Sequence, residues 1–377
     1  MCVRVLYFID CLGSGGAQRQ CVELAARLVA MERVQASFVV YRDEDFFGEK
    51  LRSHRIPVTR IAKSVKLDPS FIRRLRREIN AVNPDIVHSF LIPPSFWGAL
   101  SLSTLRKSDR PLFVASERSS RVATNLVQRI VQSFSYQRAD AITVNAQSVA
   151  HLIDARLGIP RERIHYIPNG IDLRAWDAAQ QLDSTLHFDP DRFHIGLVGR
   201  MGQEKNHLLL LRALSRIAPD VLSRWKVWFI GNLSTRDTRR AEIEREIHRR
   251  DLSNIVEILP PQQRIAAVLR KLDALVLPST YEGFPNVVLE AMASGIPVLA
   301  TEVGDVPNLI DDAKNGFIVP PGDEIALSEK LLRLHRLGVE ERRAMGAVGR
   351  RIVEERFQLE PIAAQYWHLY QQLVGSE

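Results

Sequence analysis

Short apolar runs alternate with stretches of helical periodicity along most of the chain. Residues 3–9 form the first run, and a glycine-rich turn and a helical pattern through Val22, Leu24, Ala25 and Leu28 follow it. Unbroken apolar strands that alternate with helices are typical of a parallel sheet covered on both faces. Further runs in this half lie at residues 36–41, 85–89, 112–115 and 141–144.

The same pattern restarts in the second half. Residues 193–199 form an opening strand, which a glycine turn and a helix from about Asn206 follow. Further strands are predicted at residues 227–230, 255–258, 274–277, 297–300 and 316–319. The sequence therefore predicts an α/β protein of two facing, doubly wound, Rossmann-like units, with a cleft at the carboxyl ends of both sheets.

A polar segment and an apolar helix mark the predicted domain boundaries. Residues 172–191 have few periodic apolar positions and contain Pro190, which indicates a linker. Residues 362–373 are rich in Ala, Tyr, Trp and Leu and predict a last helix. We therefore expect domains at 1–185 and 186–357, and a C-terminal helix within 358–377 that packs back toward the N-terminal domain.

Composition excludes several classes of protein. With 377 residues, 46% hydrophobic and 25% charged, the chain is neither disordered nor fibrous. No apolar run approaches the roughly 18 residues of a spanning helix, and the N-terminus does not resemble a signal peptide. The three cysteines are odd in number and clustered, which disfavours a disulfide framework. These features predict a cytoplasmic protein.

The positive charge is concentrated in the N-terminal half. Residues 1–185 hold 26 Lys and Arg against 18 Asp and Glu, whereas the remainder holds 25 against 26. Residues 71–77 place four arginines in an amphipathic helical pattern, and Arg106, Lys107, Arg110, Arg118, Arg121 and Arg129 follow. Such a face suits an anionic membrane surface, nucleic acid or simple solvation. Simple solvation is the first interpretation, and the inner face of a membrane is the favoured binding surface after it. Because no nucleic-acid-binding motif accompanies the charge, we expect no nucleic acid partner.

Two loops carry the strongest candidate chemistry. The string 281–298 follows an apolar strand and places Glu282 above a helix start and Glu290 within that helix. Free N–H groups of a first helical turn favour an anion or hydroxyl oxygens, and two carboxylates can bind sugar hydroxyls. Glu282 alone would be explained better by the helix dipole, but the full string favours a binding site. In the second loop, 199–206, Arg200 and Lys205 follow a strand, and two such cations suit a diphosphate.

Other chemistries fit the sequence less well. The loop 13–18 has Gln18 where a dinucleotide-binding fingerprint needs its third glycine. The Asp-x-Asp spacings at 43–45 and 189–191 are interpreted as ordinary acidic loops, and no His/Cys cluster has zinc spacing. We therefore expect no metal and no resident cofactor.

These strings resemble the retaining family 4 glycosyltransferases, which have the GT-B architecture. The similarity covers nearly the whole chain and is densest from Phe193 to Asp323. The matching pieces are residues 167–172, Gly199 and Arg200 with Lys205, the Glu282/Glu290 pair, 295–298 and 316–320. The resemblance implies transfer of a sugar from a nucleotide diphosphate sugar to an acceptor, with retained anomeric configuration.

The resemblance also implies roles for individual residues. The implied catalytic residues are His88, Arg200, Lys205 and Glu282. The implied donor-binding residues are Gly15, Gly16, Gly199, Arg200, Lys205, Glu282, Gly283, Phe284, Pro285, Asn286 and Glu290. Glu290 would hold the nucleotide ribose, and Glu117 and Arg118, which follow a strand, would help to bind acceptor. The chain departs from the family at Phe90, Asp305 and Asn308, which concerns the acceptor side and the sugar pocket.

The favoured function is a retaining, metal-independent hexosyltransferase. A UDP-sugar is favoured over a GDP-sugar as donor, and the acceptor is expected to be a glycan or a lipid-linked molecule. Two alternatives remain open at this point: a sugar-nucleotide epimerase of the same architecture, and a non-catalytic module that binds a nucleotide sugar or a membrane.

Overall fold

The structure divides the chain into two compact units. This computed structural model describes residues 2–63, 68–106, 109–182, 186–231 and 238–375; Lys107, one of the basic residues noted above, lies outside them. The first unit comprises Met1–Gly170 and Leu359–Glu377, and the second comprises Ile171–Gln358.

The first boundary lies earlier than the sequence predicted. The chain passes from one unit to the other at Gly170 and Ile171, not at 185 and 186, and the segment interpreted as a linker contains helix α7 (Leu173–Gln180) of the second unit. Trp176 explains this correction, because its side chain is buried and its indole N–H donates to Ser294 Oγ at 3.1 Å. A helix this short has too few apolar positions to stand out from a polar segment.

The first unit is built on a parallel sheet in the order β3-β2-β1-β4-β5-β6-β7. Its strands are β1 (Val3–Phe8), β2 (Val34–Val40), β3 (Val58–Arg60), β4 (Ile86–Phe90), β5 (Leu112–Glu117), β6 (Ala141–Val144) and β7 (Ile164–Tyr166). Its other helices are α1 (Gly16–Ala30), α2 (Gly48–Ser53), α3 (Pro69–Val82), α4 (Ile92–Leu102), α5 (Leu126–Arg138), α6 (Gln147–Leu157) and α16 (Leu359–Val374). The two edge strands β3 and β7, at three residues each, escaped prediction because so short a run carries no periodicity.

The second unit repeats the plan with the order β10-β9-β8-β11-β12-β13. Its strands are β8 (Phe193–Val198), β9 (Trp225–Ile230), β10 (Val256–Leu259), β11 (Ala274–Leu277), β12 (Val298–Thr301) and β13 (Gly316–Val319). Its remaining helices are α8 (His207–Leu214), α9 (Pro219–Leu222), α10 (Thr238–Arg249), α11 (Ile265–Leu269), α12 (Asn286–Ala293), α13 (Val306–Leu309), α14 (Glu324–Arg336) and α15 (Val339–Arg356). In both units the strand order reverses beside the first strand, and ligands of such sheets bind where the carboxyl ends of the strands meet that reversal.

Each unit has its own apolar core between its sheet and its helices. In the first unit, buried residues of β1, β2 and α1 form one cluster with Ile362, Tyr366 and Tyr370 of α16. Helix α16 thus packs on α1 and completes the core of the first unit. In the second unit, β8 and β9 pack on α8, α10 and α14. Across the described residues, no helix is both long and apolar enough to cross a bilayer.

Candidate active site

In the second unit, the loops that follow β8 and β11 lie side by side. The two strands are neighbours, with Ile195 opposite Ala274, so both loops leave the sheet at its carboxyl edge. The backbone N–H of Thr280 donates to the carbonyl oxygen of Glu204 at 2.8 Å. This bond joins the loop of Arg200 and Lys205 to the loop of Glu282.

The side chains of Lys205 and Glu282 meet at this edge. Lys205 Nζ lies 2.7 Å from Glu282 Oε1, and the two side chains are only 15% and 13% exposed. Ser279 Oγ donates to the same carboxylate oxygen at 2.7 Å. An ion pair this sheltered from solvent has a fixed geometry. The predicted phosphate-binding ammonium and the predicted sugar-binding carboxylate are therefore held against each other.

Arg200 lies at the same edge but is more open to solvent. Its side chain is 71% exposed, and its guanidinium donates to Glu204 Oε1 at 2.6 Å. Burial alone would raise the pKa of Glu204, but the hydrogen bond and charge of Arg200 outweigh burial, and the pKa of Glu204 is lowered. A diphosphate that binds here can replace Glu204 as the partner of Arg200, since guanidinium binds carboxylate and phosphate with the same planar fork.

Two glycines make room for this arrangement. Gly199 has φ +153°, and a Cβ there would lie 2.9 Å from Cε of Lys205. A Cβ on Gly231, at the end of the neighbouring strand β9, would lie 1.8 Å from the carbonyl oxygen of Gly199. Any larger residue at either position would therefore displace the stem of Lys205 or the backbone that carries it.

The loop of Glu282 is held by the loop after β12. Gly304 has φ +55°, and a Cβ there would lie 2.4 Å from the carbonyl oxygens of Glu282 and Gly283. The backbone N–H of Asp305 donates to Gly283 O at 2.9 Å. Asp305, a departure from the family pattern, is itself buried, so this position supports the Glu282 loop from behind.

Helix α12 begins directly after that loop. Pro285 is its N-cap and Asn286 its first residue, and the cap position makes no side-chain hydrogen bond to the helix. The Phe284 side chain is buried, with its ring 5.7 Å from that of Phe357, so any donor contact at this residue would come from its backbone. Glu290 is also buried, at 9% exposure, and its assignment to the ribose stays a prediction.

In the first unit, Gly15 and Gly16 lie at the start of α1. Gly15 is the N-cap and Gly16 the first residue, and the first turn carries no acidic side chain. The amide of Gln18 donates to Asp10 Oδ1 at 2.9 Å. The glycines therefore lie at the carboxyl edge of β1, where a helix N-terminus suits a phosphate or a hydroxyl.

His88 lies within the sheet of the first unit and is closed to solvent. It is fully buried in β4, its Nδ1 lies 2.6 Å from Tyr370 Oη, and its Nε2 lies 2.8 Å from Ser116 Oγ. Burial, and next the charge of Arg118, hold its pKa well below the ordinary value. Both ring nitrogens thus have partners, one from helix α16 and one from strand β5, and the catalytic role of His88 stays a prediction.

Glu117 is enclosed in the same way, and its role toward an acceptor stays a prediction. It is fully buried, and one carboxylate oxygen accepts from Tyr136 Oη at 2.5 Å and Gln132 Nε2 at 3.0 Å. The other accepts from the backbone N–H groups of Arg118 and Ser119. Burial raises its pKa, although these hydrogen bonds lower it in part. Glu117 therefore ties the end of β5 to α5.

Arg118 is largely engaged within the first unit. Its guanidinium donates to Tyr366 Oη at 2.5 Å and Asn169 Oδ1 at 3.0 Å, and it lies 4.9 Å from the centre of the Phe90 ring. The family departure at Phe90 thus supplies the ring on which Arg118 packs. Its role toward an acceptor stays a prediction.

Several supporting residues were not identified from the sequence. Glu204, Ser279, Tyr366 and Tyr370 each hold a predicted site residue in place. Glu204 and Ser279 lie within three residues of a predicted site residue, which is the one signal that could have drawn attention to them. For Tyr366 and Tyr370 the sequence carries no such signal, since their partners lie hundreds of positions away.

The acidic residues of the first Asp-x-Asp spacing form ion pairs with arginines. The carboxylates of the 43–45 spacing pair with three arginines, Asp43 with Arg60 and Asp45 with Arg52 among them. Within the described ranges, no group of three or more His, Cys, Asp or Glu side chains comes together as a metal site.

Comparisons with known proteins agree with the architecture. The family described as Glycosyl transferases group 1 matches residues 192–336, and Glycosyltransferase Family 4 matches residues 14–175. EpsF of Bacillus subtilis, named as a glycosyltransferase, is 27% identical over 316 residues, which is 79% of each chain. The D-inositol 3-phosphate glycosyltransferase of Xylanimonas cellulosilytica is 30% identical over 62% of this chain and 57% of its own length.

Solved structures show the same fold. Anabaena HepE in complex with UDP-glucose has a TM-score of 0.83 at 19% identity and is matched over 100% of both chains. Sucrose-phosphate synthase from Thermosynechococcus elongatus has a TM-score of 0.85 at 20% identity, over 99% of this chain and 100% of that one. With two Rossmann-like units, and with family matches that together span most of its length, the chain belongs to the family 4 glycosyltransferases of GT-B fold.

Proposed function

We propose that the protein is a retaining, metal-independent hexosyltransferase that uses a UDP-sugar in preference to a GDP-sugar. The observation that carries this proposal is the joined set of Arg200, Lys205 and Glu282 at the carboxyl edge of the second unit. Two cations suit a diphosphate, and a fixed carboxylate beside them suits the hydroxyls of the attached sugar. Anabaena HepE has been crystallised with UDP and UDP-glucose, which supports the choice of base.

The chemistry proposed is substitution on one face of the sugar. Glu282 is paired with Lys205 and Ser279, so it is poorly suited to act as a covalent nucleophile. The bond from the anomeric carbon to the phosphate oxygen breaks, the bond to the acceptor oxygen forms, and the acceptor proton passes to the departing diphosphate. Arg200 and Lys205 stabilise the negative charge that develops on the diphosphate.

The first unit is proposed to bind the acceptor, a glycan or a lipid-linked molecule, at the inner face of a membrane. Exposed Arg73, Arg76 and Arg77 form the basic face of α3, and an open depression of about 520 Å³ beside it is lined by Arg60 and Arg74. Such a face binds anionic headgroups, and added salt weakens that binding. Vesicle binding that does not change from low to high salt would argue against this contact.

The donor site can be tested by thermal unfolding with UDP, GDP, ADP and NAD. A ligand that binds only the folded protein stabilises it by about 2.7 kcal/mol at a hundredfold excess over its Kd. We expect UDP to raise the melting temperature of the wild type and not of Arg200→Ala. The matched control is Arg343→Ala, because Arg343 is 72% exposed and is also paired with a carboxylate three residues away. A shift with none of the nucleotides, or an equal UDP shift in Arg200→Ala, would contradict the proposed donor site.

A turnover assay separates the transferase from the two alternatives. With a UDP-sugar, a transferase releases UDP in proportion to added acceptor, an epimerase converts the sugar without acceptor, and a binding module does neither. Release of UDP that requires an acceptor would support the proposal, and conversion without one would overturn it.

A further inference from the structure

Helix α5 of the first unit buries polar residues and exposes apolar ones. The residues that it buries are Gln132, Ser135 and Tyr136, all of which carry polar atoms. Its first turns expose Leu126 at 72%, Val127 at 71% and Ile130 at 60%. A surface helix normally does the opposite, with apolar residues inward and polar residues outward.

The contacts of α5 explain why its buried face is polar. They do not explain why its exposed face is apolar. Gln132 and Tyr136 hold the carboxylate of Glu117, so polar groups are needed on that side. Nothing in the core of the first unit requires three large aliphatic side chains on the other side. Among the described residues, the remaining exposed large apolar side chains, such as Ile325 and Val339, do not form a comparable group in one helical turn.

The exposed turn is also rigid. Asn125 caps α5 by accepting a hydrogen bond from Gln128 N at 2.9 Å, and the side-chain amide oxygen of Gln132 accepts from Ala123 N at 2.6 Å. The side chain of Gln128 in turn accepts from Thr124. A surface that is already ordered loses little conformational entropy when it binds.

The charge around the turn is positive. Residues 118–138 contain four arginines and no acidic residue, and Arg121 and Arg129 are exposed beside the apolar side chains. Helix α3, which carries the other basic face, lies in the same helical layer, because α4 packs between α3 and α5 through Phe71 against Trp97 and Phe96 against Phe134. Two helix–helix spacings put α3 roughly 20 Å from α5.

We infer that Leu126, Val127 and Ile130, the apolar turn, insert into the interface of an anionic lipid bilayer while the neighbouring arginines bind its headgroups. Apolar side chains flanked by arginines match the acyl boundary and the phosphates of such a surface. A second copy of this chain fits less well, because a two-fold contact would bring the same arginines together without a carboxylate between them. The inference rests on the proposed binding of an acceptor at a membrane. It adds to that membrane contact an apolar part that salt does not screen.

Vesicle flotation tests the inference without any sugar nucleotide. We expect binding to vesicles of phosphatidylglycerol and phosphatidylcholine, weaker binding to phosphatidylcholine alone, and a loss of at least ~10-fold in Leu126→Ser/Val127→Ser/Ile130→Ser. The matched control, Ile325→Ser/Val339→Ser, removes apolar residues of 51% and 52% exposure from the second unit and should bind as the wild type does. In Leu126→Trp, the fluorescence of the new indole should shift to shorter wavelength with the mixed vesicles.

Three outcomes would overturn the inference. They are a wild type that does not float with anionic vesicles, a triple variant that floats as well as the control, and a wild-type dimer that the triple variant converts to monomer. Because the three sites are exposed, we expect the triple variant to fold, and its melting temperature checks this directly. If UDP still stabilises the protein while vesicles do not bind, the membrane contact fails and the transferase proposal stands.

Discussion

Lys205 is the residue on which the proposed donor chemistry depends most. We expect Lys205→Met to lower the rate of acceptor-dependent UDP release by about 100-fold or more, because one preorganised charge on a leaving group contributes about 2.7–4 kcal/mol to catalysis. The free energy of unfolding should fall by less than the activation free energy of the reaction rises, since Ser279 still donates to Glu282. The control is Lys226→Met, which removes a half-buried lysine paired with Glu257 at 2.8 Å. Equal rates in the two variants would exclude Lys205 from catalysis.

Gly199 tests whether the position of Lys205 matters as well as its charge. A Cβ at residue 199 would press on the Lys205 stem, so Gly199→Ala should lose most of the stabilisation that UDP provides. Gly322→Ala separates this contact from backbone strain, because Gly322 has φ +83° with no atom within 4 Å of its Cβ position. That control should cost about 1–3 kcal/mol of stability and keep its UDP shift. If UDP stabilises both variants equally, the role of Gly199 is not to leave room for the Lys205 side chain.

At the scale of elements, helix α16 determines the role of His88. Tyr370→Phe removes the hydroxyl that pairs with His88 Nδ1 and leaves a buried nitrogen unpaired, which should lower the free energy of unfolding by about 1–3 kcal/mol. His368→Ala, at an exposed position of the same helix, should change it by less than about 0.5 kcal/mol. Urea unfolding measures both.

The same pair of residues tests the structural interpretation of His88. His88→Asn and Tyr370→Phe should be coupled in a double-mutant cycle, and any loss of turnover should follow the loss of stability. A His88→Asn variant that is as stable as the wild type but inactive would support the predicted catalytic role of His88.

At the scale of the whole molecule, buried histidines make stability depend on pH. Burial lowers the pKa of His207 in the second unit to about 3 from an ordinary 6.5, and the pKa of His88 in the first is lowered too. Between these values the unfolded chain binds a proton that the folded chain does not, so the stability from His207 is present above pH 6.5 and is lost as pH falls toward 3. At pH 5 the loss from His207 should be about 2 kcal/mol.

Urea unfolding between pH 7 and pH 5 checks this prediction. His207→Leu should flatten the decline of stability for the second unit, because leucine takes no proton. His151→Leu, which changes an exposed histidine, should leave the slope as it is in the wild type. A wild type whose stability does not change over this range would contradict the buried, neutral state of His207.

Most elements of the fold were predictable from the sequence, and the residues at which they begin and end show why. Strands β6, β11 and β13 begin and end where their apolar runs do, because a strand buried on both faces needs apolar residues throughout. Strands β3 and β7 were not predicted because a run of three residues carries too little periodicity. Helix α7 was not predicted because it has only two large apolar side chains. Arg200, Lys205 and Glu282, the residues of the proposed donor site, stood out in the sequence because the loops that carry them follow strands.

The sequence by itself determined the two doubly wound units and the loops on which the charges of the proposed donor site lie, since apolar periodicity and strand-end positions are local properties. Only the tertiary structure decided that His88 and Glu117 are buried with their polar atoms paired, because their partners come from other elements, in the case of Tyr370 from 282 residues away. It also decided that α5 turns its apolar residues outward. Local patterns specify what a segment can form, whereas burial and hydrogen-bond partners depend on which segments the fold brings together.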